Sequence, residues 1–271
     1  MKTTDKMAII GAGNIGLAIA RGLVKSGRFK GEQLILRRLL HLEELEEEGF
    51  KTESTNIAAV KSANLVLLAV EPSQIREVLV EIAPHLDQNR HILISVVSGV
   101  TISEILKQIK KDIPVIRAMP NTAIAIRESM TCLSSTAMDS PALQTVQSIF
   151  NMVGETLIIE EEKMIPATAL GACGIAFFLR VIRAASQGGI EIGFHSDEAL
   201  KIASQTARGA AKLLLDTGNH PEREIDKVTT PRGCTIAGLN RMEHAGFSSA
   251  LIQGIVTSCE KASHLYESND K

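Results

Sequence analysis

The chain has 271 residues, more than one small core needs and a length that suits two domains. Hydrophobic residues make up 45% and charged residues 22%, and 29 Lys and Arg against 31 Asp and Glu give a net charge of -2, so no basic surface is expected to follow a nucleic-acid backbone. Cys132, Cys173, Cys234 and Cys259 stand without CxxC spacing, which argues against a zinc site or a disulfide framework and for reduced thiols and no metal.

In chain order, Met1 to Lys6 runs into a short apolar stretch that ends in glycines, without the long apolar core and cleavage site of a signal peptide. A cytoplasmic protein is expected. Strand-like runs at Met7 to Ile10, Gln33 to Arg37, Leu65 to Val70, His91 to Val97, Val115 to Met119 and Thr156 to Ile159 are mostly separated by helix-length segments, the alternation of a parallel sheet with crossover helices. Between the first strand and its helix lies Gly11-Ala12-Gly13-Asn14-Ile15-Gly16. It fits GxGxxG, in which the glycines allow a tight turn, close approach to a pyrophosphate and close helix packing, while the helix start offers free N–H groups. At the end of the second strand, where an acid would meet the ribose hydroxyls of NAD, the chain has Arg37 and Arg38, whose guanidinium forks suit the 2'-phosphate of NADP. NADPH is the expected cofactor. The acidic run Glu43 to Glu48 reads as a solvated helix face.

Near residue 160 the texture changes from strands to helices, which divides the chain into a dinucleotide-binding domain over 1–160 and a helical domain over 161–271. Met164 to Leu179 carries no charge but is short for a span, so a buried core helix is expected there and no membrane partner. Further helices are expected from an N-cap at Ser196 to Gly218, from Cys234 to His244 with a stop at Gly246, and from Ser248 to Tyr266. The second half is rich in Ala and Gly, including Ala184, Ala185, Gly188, Gly189 and Ala207, which permits close helix approach; a thin core of this kind calls for a partner chain.

Over nearly its whole length the sequence resembles the pyrroline-5-carboxylate reductases. The resemblance rests on the glycine loop, on Leu67-Leu68-Ala69-Val70 followed by Pro72, on Arg117-Ala118-Met119-Pro120-Asn121-Thr122, and on Val228-Thr229-Thr230-Pro231 through Gly233 with Thr235-Ile236-Ala237. It implies a Rossmann domain joined to an all-α domain that dimerises, with higher homo-oligomers, and hydride transfer from NADPH to the C=N bond of 1-pyrroline-5-carboxylate to give L-proline. It also implies that Asn56, Ala69, Val70, Pro72 and Ser98 line the cofactor, that Asn121 lies near the nicotinamide, and that Thr230, Gly233 and Thr235 hold the substrate. Thr235 is the candidate catalytic hydroxyl; its other reading is an N-terminal helix cap.

The sequence departs from the family in several places: Arg232 replaces the first of two usual glycines, Cys234 follows where a small or hydroxyl residue is usual, and Glu71 stands where lysine is common. Arg232 either faces solvent or adds a charge for the carboxylate. Three rivals stay open: a reductase of a related cyclic imine, a non-catalytic NADP-binding regulator, and a 3-hydroxyacid dehydrogenase. The last relies on a lysine in the first helix of its second domain, and Met164 to Ile192 has none.

Overall fold

The computed structural model describes residues 5–264. Strands β1 (Met7–Ile10), β2 (Leu34–Arg37), β3 (Lys51–Thr52), β4 (Leu65–Leu68), β5 (Ile92–Ser95), β6 (Val115–Met119), β7 (Ser129–Ser135) and β8 (Gly154–Ile158) form one sheet in the order β3-β2-β1-β4-β5-β6-β7-β8. All neighbours run parallel except β6 and β7, where Ala118 faces Leu133 in an antiparallel register. The expected parallel sheet is present, with this one antiparallel pair. Between β6 and β7 stands only a 3-10 turn, Thr122–Ile126, and a connection this short cannot carry the chain from the carboxyl end of β6 back to the end at which β6 began, as a parallel neighbour would need.

The short helices α1 (Asn14–Lys25), α2 (Leu42–Glu47), α3 (Asn56–Lys61), α4 (Ile75–Ile82), α5 (Ile102–Ile109) and α6 (Pro141–Phe150) connect the strands. Their apolar faces sort onto the two faces of the sheet, as the two-residue period of a strand requires. Leu65 and Leu67 of β4 join a core with α1 and α6 through Ile19, Leu23, Leu143 and Phe150. Val66 and Leu68 join another with α4 and α5 through Leu79, Ile82, Ile102 and Ile105. In α1, a Cβ on Gly22 would collide with the carbonyl oxygen of Ile124, so the bare glycine lets the helix rest on the turn Thr122–Ile126.

Compact packing divides the chain at Gly174: one unit holds the sheet through Cys173 and takes in the chain again from Ser258, and the other is Gly174–Thr257. The division falls later than residue 160 because Glu161, just past the last strand, is tied back to Arg117 of β6 and Gly171 to Asn121. After α7 (Met164–Ala167) and a π-helical turn, the second unit carries α8 (Gly174–Glu191), α9 (Ser196–Thr217), α10 (Pro221–Lys227), α11 (Cys234–His244) and most of α12 (Phe247–Ser263). His195, not Ser196, caps α9, with Glu198 accepting from the His195 N–H at 3.0 Å. Gly218 ends that helix at φ 64, as its glycine suggests. Tyr266, the expected end of α12, lies outside the described residues.

The expected core helix is also corrected. Residues 161–191 are helical and apolar enough to cross a membrane by length and composition, yet Phe178 and Leu179 are exposed on the single chain. Within 174–257 only Gly174, Ser186 and Ala199 are buried. Where α8 and α9 meet, Gly189 lies close against Ala199, while large side chains of both helices, among them Leu179, Ile190, Leu200 and Leu213, are exposed.

Candidate active site

A cleft of about 740 Å³ opens beyond the carboxyl ends of β1, β2 and β4, where the strand order reverses from β1 outward, the place at which open α/β sheets take a ligand. The chain turns into it at Gly11, whose φ of 92 and whose backbone, 2.6 Å from Ala69 at the position of a Cβ, admit no side chain. The N–H groups of Gly11 and Ala12 both donate to the Arg37 carbonyl at 2.9 and 3.0 Å, hanging the loop on the end of β2. A Cβ on Gly13 would meet nothing within 4 Å, so the backbone here faces open space. Gly13 caps α1 without a side-chain hydrogen bond, which leaves the first N–H groups of the helix available to an anion. A Cβ on Gly16 would stand 2.6 Å from the Gly11 carbonyl oxygen, the close packing that the third glycine of the motif allows.

Of the residues expected at the cofactor, Gly11, Ala12, Gly13, Asn14, Arg37, Arg38, Asn56, Ala69 and Val70 line the cleft. Ile15 and Gly16 serve it from behind, Ile15 by packing on the core. Pro72 and Ser98 follow the ends of β4 and β5 without lining it. Asn56 donates to Glu81 at 2.7 Å, and the Arg37 guanidinium donates to the Arg38 carbonyl while its Nε is buried without a partner. A half-buried guanidinium with its Nε unpartnered, beside an open glycine loop, is a donor set suited to a dinucleotide phosphate. Leu39, Leu40 and His41 line the same cleft and were not singled out by the sequence. The signal available was the apolar pair directly after the arginines, which is 78% and 69% exposed and has no core to enter.

Asn121 sits at the end of β6 with its side chain engaged at both ends. Its Oδ1 accepts from Ala123 N at 3.0 Å and its Nδ2 donates to the Gly171 carbonyl at 3.2 Å. The other substrate candidates belong to the second unit. There Gly233 N donates to the Thr230 carbonyl at 2.9 Å, closing a turn over Pro231 and Arg232, with Arg232 at φ 61. A Cβ on Gly233 would stand 2.5 Å from Thr230 Oγ1, so these two positions are mutually fitted. Gly233 is the N-cap of α11, and no side chain caps that helix. Thr235 is therefore the second helical residue and not the cap, and it is half-buried in the first turn of a helix that no side chain caps. Burial raises the pKa of the Cys132 thiol. No group of three or more metal-ligating side chains occurs among the described residues.

The glycine-loop cleft on a sheet of this order defines a nicotinamide-dinucleotide-dependent oxidoreductase. Residues 6–99 match the family model described as NADP oxidoreductase, coenzyme F420-dependent, and residues 161–265 match that of pyrroline-5-carboxylate reductase dimerisation. Pyrroline-5-carboxylate reductase 2 of Dictyostelium discoideum is 48% identical, with 97% of this chain and 94% of the relative covered. Pyrroline-5-carboxylate reductase 1 of the same organism is 52% identical over 98% of this chain, which spans about half, 51%, of that relative's length. The crystal structure of Plasmodium falciparum pyrroline carboxylate reductase with NADP bound shares the fold, with a TM-score of 0.90, 23% identity, and 98% and 100% of the two chains covered. This chain belongs to the pyrroline-5-carboxylate reductase family.

Proposed function

We propose that this chain reduces 1-pyrroline-5-carboxylate to L-proline with NADPH, as a homo-oligomer of the cytoplasm, with residues 1–160 binding the cofactor and 161–271 binding substrate and partner. The observation that carries the reading is the cleft at the strand switch, where an uncapped helix start and the Arg37–Arg38 pair meet. The names of the Dictyostelium relatives support the substrate, and the NADP of the Plasmodium structure supports the cofactor.

NADPH, when bound, supplies the hydride. The loop from Gly11 to Gly16 and the N–H groups of α1 would hold the pyrophosphate, and Arg37 and Arg38 would hold the 2'-phosphate. A protonated cyclic imine is already electrophilic, so the chain's task is chiefly alignment. The uncapped start of α11, fixed by the Thr230–Gly233 turn, takes the substrate carboxylate. Thr235 would present its hydroxyl to the ring nitrogen and hold the proton there.

A related cyclic imine is the second reading, favoured by one observation, the arginine in place of glycine at the turn. Steady-state assays with NADPH on the five-membered imine, its six-membered analogue, and 3-hydroxyacids in reverse separate these. The five-membered imine is expected to be turned over fastest, and Thr235→Ala to lower kcat about 100-fold with little change in NADPH affinity. Turnover of another substrate class in its place would sink the proposal.

A further inference from the structure

The acidic run after the arginines is more than a solvated face. On and just after α2, Glu44 pairs with Arg38, Glu46 accepts from Thr52, and Glu48 receives Arg21 at 2.6 Å, a hydrogen bond that holds the Glu48 carboxyl below its ordinary range. Glu44 differs from the other two because both of its partners, Arg38 and His41, line the cofactor cleft while Glu44 itself does not. Its two oxygens are divided between them: Oε2 lies 2.8 Å from Arg38 Nη2, and Oε1 lies 3.3 Å from His41 Nδ1. Arg38 Nε closes the group by donating to the His41 carbonyl at 3.0 Å. His41 stands at φ 58, a backbone conformation that a non-glycine residue keeps only where contacts hold it.

We propose that Glu44 is a positioning residue of the cofactor site: from outside the cleft it fixes Arg38 and His41 on the wall that receives the 2'-phosphate of NADPH. The proposal rests on the NADPH reading above. An arginine side chain free to rotate must be ordered before its fork can meet a phosphate, and the carboxylate bears that ordering in advance. Two effects oppose each other here, since a carboxylate near a phosphate also repels it. The Glu44 side chain is 63% exposed and Arg38 only 19%, so water screens the acid while the arginine is held down toward the cleft. Screening weakens both effects, but Glu44 meets Arg38 directly at 2.8 Å and does not line the cleft, so positioning is expected to outweigh repulsion.

The probes are 2',5'-ADP, which carries the 2'-phosphate, and 5'-AMP, which does not, titrated calorimetrically into the full-length protein. Wild type is expected to bind 2',5'-ADP more tightly; equal affinities would overturn the NADPH reading itself. Glu44→Ala is expected to weaken 2',5'-ADP about three- to fivefold and to leave 5'-AMP unchanged, a selectivity that a general loss of structure would not give. Glu44→Gln, which keeps an acceptor for Arg38, is expected to stay within about twofold of wild type. Given a selective wild type, three results would each overturn the positioning role: 2',5'-ADP binding unchanged or tighter in Glu44→Ala, equal weakening of both probes, or a Gln variant as weak as the Ala variant.

Discussion

Arg232 occupies the left-handed region, φ 61, in the turn that precedes α11, and its side chain is exposed with no partner among the described residues. An L-residue there costs about 1–2 kcal/mol, of which a glycine would give back part through the entropy of the unfolded chain, about 0.4–1 kcal/mol. Arg232→Gly is therefore expected to stabilise the protein by about 0.5–1 kcal/mol, read as a higher urea midpoint. A lower midpoint would mean that the guanidinium holds the turn by contacts worth more than the strain. The strain also explains why glycine is usual at this position, a reason that the sequence showed only as a departure. Arg37 makes the opposite case: its place at the strand end was legible, but the burial of its Nε was not, because that depends on how Arg38 and the following loop close over it.

At the scale of elements, Arg117 shows how β6 is tied to the start of the helical stretch. Its side chain is 3% exposed and its Nη1 meets Glu161 Oε1 at 3.1 Å, while the same oxygen accepts from Ile102 N, at the start of α5, at 2.7 Å. Arg117 Nε has no partner, and neither has Ser134 Oγ, which stands in register with it on β7. Removing Glu161 leaves a buried cation with no counter-charge, a loss of about 3–5 kcal/mol where both partners are buried. Because Glu161 is 27% exposed, Glu161→Ala is expected to cost about 2 kcal/mol, measured by denaturant unfolding. No change would show that water already neutralises Arg117.

The same strands mark the limit of what could be read in advance. Six strands announced themselves by β-branched and leucine-rich runs. Strand β7 did not, since three of its four buried residues, Ser129, Thr131 and Ser134, are small and polar, and with Leu133 alone they carry no apolar alternation. Strand β3 has only two residues, too short for any period. The glycine loop was legible because its geometry is local to three glycines within six residues, Gly11, Gly13 and Gly16. The Glu44–His41–Arg38 group was not, since it arises where a helix start meets a strand end.

At the scale of the whole molecule, the second unit cannot satisfy itself. Ile192 is 77% and Leu215 82% exposed, and an apolar groove of about 490 Å³ runs between α8 and α9 past Val181, Ala185, Gly188, Ile202 and Ala203. Apolar surface left in water costs about 25 cal/mol per Å², so a second chain is the natural cover, in keeping with the match of residues 161–265 to a dimerisation model. Light scattering at micromolar concentration is expected to give a dimer or a larger assembly, and a monomer would contradict this. An Ala185→Glu variant should shift the population toward monomer.

Gly22 has a reach that its position in α1 conceals. That helix begins at the glycine loop, and through the bare face at Gly22 it rests on the turn whose first capping group is Asn121, which in turn holds Gly171. A methyl group added at residue 22 would thus be registered far along the chain, at the asparagine and at the helical stretch it anchors. Variation at this position would be felt at Asn121 as well as in the helix itself, although residue 22 does not line the cleft.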